Sequence, residues 1–544
     1  MSASIPAVSA RRRAAFAVLC AIGAAWVWHI HFWPQFHAAC ESQSLYFVQA
    51  VVDDGRPDLG GPAARHGGAP AGCVSRNGLD YISESPGLAL LAVPLYAVAR
   101  EIHAPVADRE LWLFGYLACL LTVTLPLLLA LRSLWRYLEG IGIEHHVAGW
   151  TILALALASP LFVYATLLFS NGLAAACVAL TFCLLAVKGP VRARRLLGAG
   201  ALVGFAGLAD APVFLLALLF AGFAAARIEL PDPPSLLRQR LRAAALVLAG
   251  ALPWLALHLA SNAWLFGHPL RFAAQLRVLP ENVQTRVGPP LHLPHLSDFM
   301  AQWFGERSGL LYHAPWLLLA LAGLVLVARK HDTPRHVRID ALFLILAPLV
   351  YGILVASFGH WSLTDSASVR DLVPLLPLLA IGLAHFLTVR PWPPLLRALT
   401  AASILAGFLM ALPIVATFPY HFHQLKQPVL EFSWPLVVLG YFSPSLGRIL
   451  GWSDWLSLAV FTGLCALPWL IIGWPAGSED VHRPKRWLRV LAAVALCFLW
   501  VTVLMASVGK NNRAREVAKY KASSLLGASA TERDHKASRQ RRMR

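Results

Sequence analysis

Apolar segments of about 20 residues recur along nearly the whole chain. A segment of that length crosses a bilayer only as a helix, because lipid offers no partner to unpaired backbone N–H and C=O groups. Of 544 residues, 58% are hydrophobic and 14% charged, whereas a soluble domain carries about 25% charged and about 45–50% apolar residues. The expected fold class is therefore an all-α polytopic membrane protein. The first span ends near residue 33, and later spans read at 110–131, 147–166, 170–187, 243–264, 309–328, 339–357, 372–388, 397–418, 454–474 and 487–507. The stretch 196–226 is too long for one span, has basic residues on both sides, and holds Asp210 and Pro212 in its middle. Two short helices turning at Asp210 satisfy those facts, which brings the total to about 13 spans.

A net charge of +18 would suggest nucleic acid in a soluble protein. Here Lys and Arg sit in short loops between spans, where they set orientation. No loop carries a basic helix with interleaved aromatics, so nucleic acid is not an expected partner. Arg11, Arg12 and Arg13 precede the first apolar run, which ends in an aromatic belt of Trp26, Trp28, Phe32 and Trp33. No small-residue cleavage site follows directly, so this reads as an uncleaved first span with a cytoplasmic N-terminus. The expected layout is one transmembrane domain over 1–507, with a first outer loop at 35–109, and a basic, disordered tail over 508–544. An odd span count puts that basic tail outside, against the charge bias of the rest.

This topology gathers four polar segments on the outer face: 35–85, the Asp210 turn, 266–308 and 359–371. The first opens with Cys40-Glu41-Ser42-Gln43-Ser44, and an acid just past a span can serve as a base toward a hydroxyl. Asp53, Asp54 and Asp58 read as solvated loop acids. Next come Tyr81-Ile82-Ser83-Glu84-Ser85-Pro86-Gly87 and a short apolar piece, 86–98, that reads as an interfacial helix. Further along are Phe266-Gly267-His268-Pro269-Leu270, then Ser308-Gly309-Leu310-Leu311-Tyr312-His313-Ala314-Pro315, then Trp361 through Asp365 to Arg370-Asp371-Leu372-Val373-Pro374. An acid such as Asp210 between two apolar helices is costly unless paired or wet, so it is expected to face the site, or else to cap a helix.

Six of the eight cysteines lie in apolar runs, while Cys40 and Cys73 share the first loop. On the outer side these two could form a disulfide or stay thiols. No Cys/His spacing fits zinc. His292, His295, His360, His421 and His423 fall outside, and His421 with His423 could share a metal, although no full ligand set is visible. No cofactor is implied with certainty; a divalent metal is left open.

Taken in order, these motifs resemble the GT-C glycosyltransferases, in the bacterial branch similar to protein O-mannosyltransferases and aminoarabinose transferases. The resemblance runs from about residue 25 to about 390. It implies a GT-C-like bundle, a polyprenyl-phosphate sugar donor, an outer-face (periplasmic) active site in a bacterial plasma membrane, and inversion at the sugar. On that resemblance Glu41 would be the catalytic base and Arg370 the donor-phosphate ligand, which suits a planar fork of donors. Glu84 matches an acid beside the site; Tyr81, Asp210, His268, Trp361 and Asp365 would line it. The acceptor stays open among glycan, lipid and protein. The chain departs from the family at Ser85, where Lys is usual, at Asn171, where His is common, and at Arg307-Ser308-Gly309, where Arg directly precedes Gly-Leu. Two other readings stand beside this one. A transporter or flippase would use broken helices and buried charge, but would need polar residues near the midplane, and no internal repeat is present. A non-catalytic scaffold of the same fold would explain the departures.

Overall fold

The computed structural model describes residues 5–31, 39–70, 72–102, 108–187, 189, 191–227, 235–271, 273–276, 292–358, 368–389, 394–421 and 425–472. The expected last span and the tail lie outside these residues, as do Trp361, Asp365, His360 and His423.

The chain is an all-α polytopic protein. Six described helices are long and apolar enough to cross a membrane: Leu113–Gly140, Leu236–Phe266, Arg335–Ala356, Arg370–Thr388, Ala398–Ala416 and Asp454–Ile472. Shorter apolar helices pack among them, including His145–Leu157, Ser170–Leu185, Ala193–Ala209 and Leu317–Arg329. Lipid gives no hydrophobic drive for helices to associate, so close backbone approach has to supply the contact. Gly200, Gly204 and Gly250 provide it between 193–209 and 236–266; a Cβ on Gly204 would lie 2.7 Å from the Ala251 Cα. Gly323 and Gly382 do the same between Leu317–Arg329 and Leu376–Thr388. The long helix 236–266 starts at Ser235, whose side chain accepts the Arg238 N–H, and ends at Gly267 with φ +76°. Its leucines 241, 248, 252 and 255 are exposed, as a lipid-facing stripe requires.

The stretch 196–226 breaks where expected. Ala193–Ala209 ends at an extended Asp210, Ala211–Val213 makes one tight turn around Pro212, and Phe214–Arg227 resumes. The expected span 147–166 does not form as one helix. His145–Leu157 stops short, Leu161–Tyr164 adds a single turn, and the next helix starts only at Ser170. Pro160 prevents continuation, and Ser159 Oγ donates to Leu155 O while accepting from Leu161 N. Residues 158–169 thus form an irregular buried stretch, tolerable at this depth because protein surrounds it.

The first loop is more built than its composition suggested. Ala39–Gln49 is helical, a hairpin pairs Val74–Arg76 with Leu79–Tyr81, and Gly87–Ile102 forms the interfacial helix. Asn77 and Gly78 both take positive φ, as a two-residue hairpin turn needs. Asp53, Asp54 and Asp58 are not simply solvated: Asp53 pairs with Arg100 at 2.8 Å, Asp54 pairs with Arg65 at 2.9 Å, and Asp58 accepts the Gly60 N–H. The Asp53–Arg100 pair clamps the loop onto the interfacial helix, and the other two contacts brace the loop internally. At the opposite end of the bundle, Arg227 Nε meets Asp340 Oδ1 at 2.7 Å with both side chains at most 5% exposed. Tyr137 donates to the other carboxylate oxygen, so helices 113–140, 214–227 and 335–356 are tied by one buried charge pair. A segment unanticipated from sequence, Val429–Ser433, is one wide π turn leading into Trp434–Leu439.

Candidate active site

Where the interfacial helix begins, four distant stretches meet around one small polar cavity. Its polar wall is Cys40, Ser44, Glu84, Ser85, Ser170, Asn171 and Arg370; Leu88, Leu168 and Phe169 complete it. Ser170 and Asn171 are the first residues of the helix Ser170–Leu185, so the positive end of that helix dipole faces the cavity.

Local sequence explains each placement. Arg370 opens a short 3-10 turn that runs straight into the helix 376–388, whose first turn holds Pro377. Just before it, Val369 N and Ser368 Oγ both donate to Ser308 O at 3.0 Å, so Ser308 fixes the arginine's backbone. The guanidinium donates from Nη1 to Cys40 Sγ at 2.9 Å and from Nη2 to Glu84 Oε1 at 3.3 Å, with Asp371 Oδ1 3.6 Å from Nε. Glu84 is held because Ser83 N and Oγ both donate to the buried Gln43 Oε1, at 2.7 and 3.1 Å. Ser85 Oγ accepts the Ala211 N–H at 3.2 Å, and Gly87 sits so close to the Asp210 turn that a Cβ would lie 2.6 Å from Ala209 N. Asp210 accepts from Asn171 Nδ2 at 2.7 Å.

The structure therefore brings Arg370, Glu84, Cys40 and Asn171 to one cavity, with Asp210 directly behind Asn171. Glu41 stands one residue along the helix from Cys40, about 100° round its axis, and is not among the lining residues. It is 4% exposed. One carboxylate oxygen accepts the Leu168 N–H at 3.0 Å and the other accepts the Tyr420 hydroxyl. Since Leu168 lines the cavity, Glu41 lies just behind that wall. Burial pushes its carboxyl up to about 7, against the pull of the hydrogen bonds from Tyr420 and Leu168. Burial and the neighbouring Glu41 raise the Tyr420 phenol as well.

The remaining expected site residues lie elsewhere. Tyr81 ends the hairpin and does not line the cavity. His268 is exposed, its ring accepting the Leu270 N–H at 3.2 Å. His292 and His295 stack near one another on the surface. His421 is fully buried against Ser433 Oγ. Among the described residues no three His, Cys, Asp or Glu side chains gather closely enough for a metal. Cys40 and Cys73 are both thiols, not a disulfide. The reason is local: Cys40 Sγ donates to Glu84 Oε1 at 3.1 Å and accepts from Arg370, which commits it to the cavity. Burial and Glu84 push this thiol up to about 12, only partly offset by Arg370.

Sequence reasoning gave no role to Gln43, Ser308 or Tyr420. Gln43 stood beside Glu41 in the motif, and Ser308 inside the Ser-Gly-Leu element. No local signal ties Tyr420 to Glu41 across 379 positions.

No family model matches the sequence, and no curated protein does. Among solved structures, the chain is similar to ArnT from Cupriavidus metallidurans bound to undecaprenyl phosphate, at 16% identity and a TM-score of 0.45 over 84% of this chain and 75% of that one. It is similar to apo ArnT of that organism at 17% identity and a TM-score of 0.43, over 87% and 77% of the two chains.

Proposed function

We propose that this protein is a membrane glycosyltransferase that moves a sugar from a polyprenyl-phosphate donor to an acceptor hydroxyl at the outer face of a bacterial plasma membrane. The observation that carries the reading is Arg370: a cation held at one end of the bundle, in a polar cavity, beside the positive end of the helix 170–185. Such an arrangement favours an anion. The lipid-linked character of that anion is supported by the interfacial helix 87–102, whose residue Leu88 lines the same cavity.

Arg370 would grip the donor phosphate, which takes the place of the Glu84 carboxylate on the guanidinium. Glu41 would be the base. Its carboxyl, near 7, is matched to proton transfer close to neutral pH. The Tyr420 hydroxyl now donates to Glu41, and an acceptor hydroxyl replacing it would make the same hydrogen bond. The acceptor O–H proton passes to Glu41, the oxygen forms a bond to the anomeric carbon from the face opposite the phosphate, and the C–O bond to phosphate breaks with its electron pair staying on the phosphate. Arg370 stabilises that developing charge, and the configuration inverts.

The test pairs two variants of the full-length protein in nanodiscs. Arg370→Ala should weaken polyprenyl-phosphate binding by roughly 10- to 100-fold, the worth of a charge-assisted contact. Glu41→Gln should keep that binding and lose glycosyl transfer. Transfer by Glu41→Gln at the wild-type rate would remove Glu41 from the chemistry, and undiminished carrier binding by Arg370→Ala would remove the donor site.

A further inference from the structure

The cavity contains a polar atom whose direction is fixed by the residue behind it. Asn171 is 4% exposed and lines the cavity. Its Nδ2 donates to Asp210 Oδ2 at 2.7 Å. With its N–H given to Asp210, the amide presents its oxygen on the other side. Its Oδ1 must therefore point away from Asp210, and it accepts no hydrogen bond among the described residues. Asp210 is itself well fixed. It ends the helix 193–209, and its turn is pinned by the Ala211 N–H to Ser85 bond and by the close seat of Gly87.

We infer that Asn171, locked by Asp210, is a specificity-determining residue that presents its amide oxygen to a hydroxyl of the donor's sugar. This rests on the reading of the cavity as a donor site. The chemistry favours a sugar hydroxyl over the phosphate: an amide oxygen repels an anion and accepts from O–H, while Arg370 and the helix end supply the anion's partners in the same cavity. A site built to accept a hydroxyl's hydrogen bond also discriminates against analogues that lack it, because the buried acceptor is then left unpaired. The Asn171–Asp210 pair thus separates two tasks within one cavity, holding the phosphate on one side and reading the sugar on the other.

The experiment measures binding of undecaprenyl phosphate, of undecaprenyl phosphoglucose and of its deoxyglucose analogues to the full-length protein in nanodiscs. Asn171→Leu should lower the preference for the sugar-bearing carrier over the bare carrier by roughly tenfold, one hydrogen bond's worth, and should flatten the difference between glucose and one deoxy analogue. Asp210→Asn is nearly isosteric and frees the amide to turn; it should lower the same preference by a smaller factor, and it decides the matter if Asn171→Leu does not fold. An unchanged preference in the folded variants overturns the inference while leaving the donor site standing. Failure of the wild-type protein to bind the bare carrier would overturn both.

Discussion

Glu41 offers a test that needs no substrate. Its carboxyl is buried, with only the Leu168 N–H and the Tyr420 hydroxyl to replace water. A rise from 4.5 to about 7 corresponds to roughly 3 kcal/mol of preference for the neutral acid in the folded protein. The sign follows from proton counting. Between those two values the folded state binds more protons than the unfolded one, so this stabilisation is complete below about 4.5 and is lost as pH rises through about 7. Removing the Tyr420 hydroxyl should raise the carboxyl further. A hydrogen bond to an ionised group is worth about 1.5–3 kcal/mol and one to a neutral group about half that. The difference, about 1 kcal/mol, moves the midpoint of Tyr420→Phe up by a little under one pH unit. The assay is infrared difference spectroscopy of the protonated carboxyl C=O stretch through a pH titration, with Glu41→Gln identifying the band. A band that Glu41→Gln abolishes should titrate near 7 in the wild type and higher in Tyr420→Phe. If that band titrates in the ordinary carboxylate range, or if Tyr420→Phe leaves it in place, the burial argument is wrong.

Two further outcomes follow from packing. Asp340→Leu should destabilise the folded protein by about 3–5 kcal/mol, since it strands Arg227, whereas the double change Arg227→Met with Asp340→Leu should recover most of that loss; thermal unfolding in detergent measures both, and an Asp340→Leu variant as stable as wild type would refute the pairing. Gly87→Ala should push the interfacial helix off the Asp210 turn, where a Cβ would sit 2.6 Å from Ala209 N, and should lower carrier binding by at least several-fold without touching any charged residue, as read by the same nanodisc measurement.

Much of this was legible from sequence where two independent signals agreed. The break at Asp210 was marked by both Pro212 and basic flanks, and the interfacial helix by both its length and its place after a polar loop. The stretch 158–169 was not legible, because residues 161–168 are apolar apart from Tyr164 and Thr166, and hydropathy does not register how Pro160 and Ser159 turn the chain. The site was legible as a neighbourhood. Cys40 and Glu41 both follow the first span, but pattern alone could not say which of two adjacent residues faces Arg370. Partners far apart in the chain fix that choice: Glu84 and Arg370 take Cys40, and Leu168 and Tyr420 take Glu41.

The bond between Glu41 and the Leu168 peptide has a consequence for comparing this chain with its relatives. The irregular stretch 158–169 needs an acceptor for that N–H, and the acid supplies it. Arg370 likewise ties the first loop to a later helix through Cys40 and Glu84. Both residues fasten distant segments of the chain to one another. Selection for assembly alone would retain them in a descendant that had given up chemistry, so their persistence in a relative measures inherited architecture. Asn171 Oδ1 fastens nothing among the described residues, and drift at that position would be the earlier sign that the cavity had changed its task.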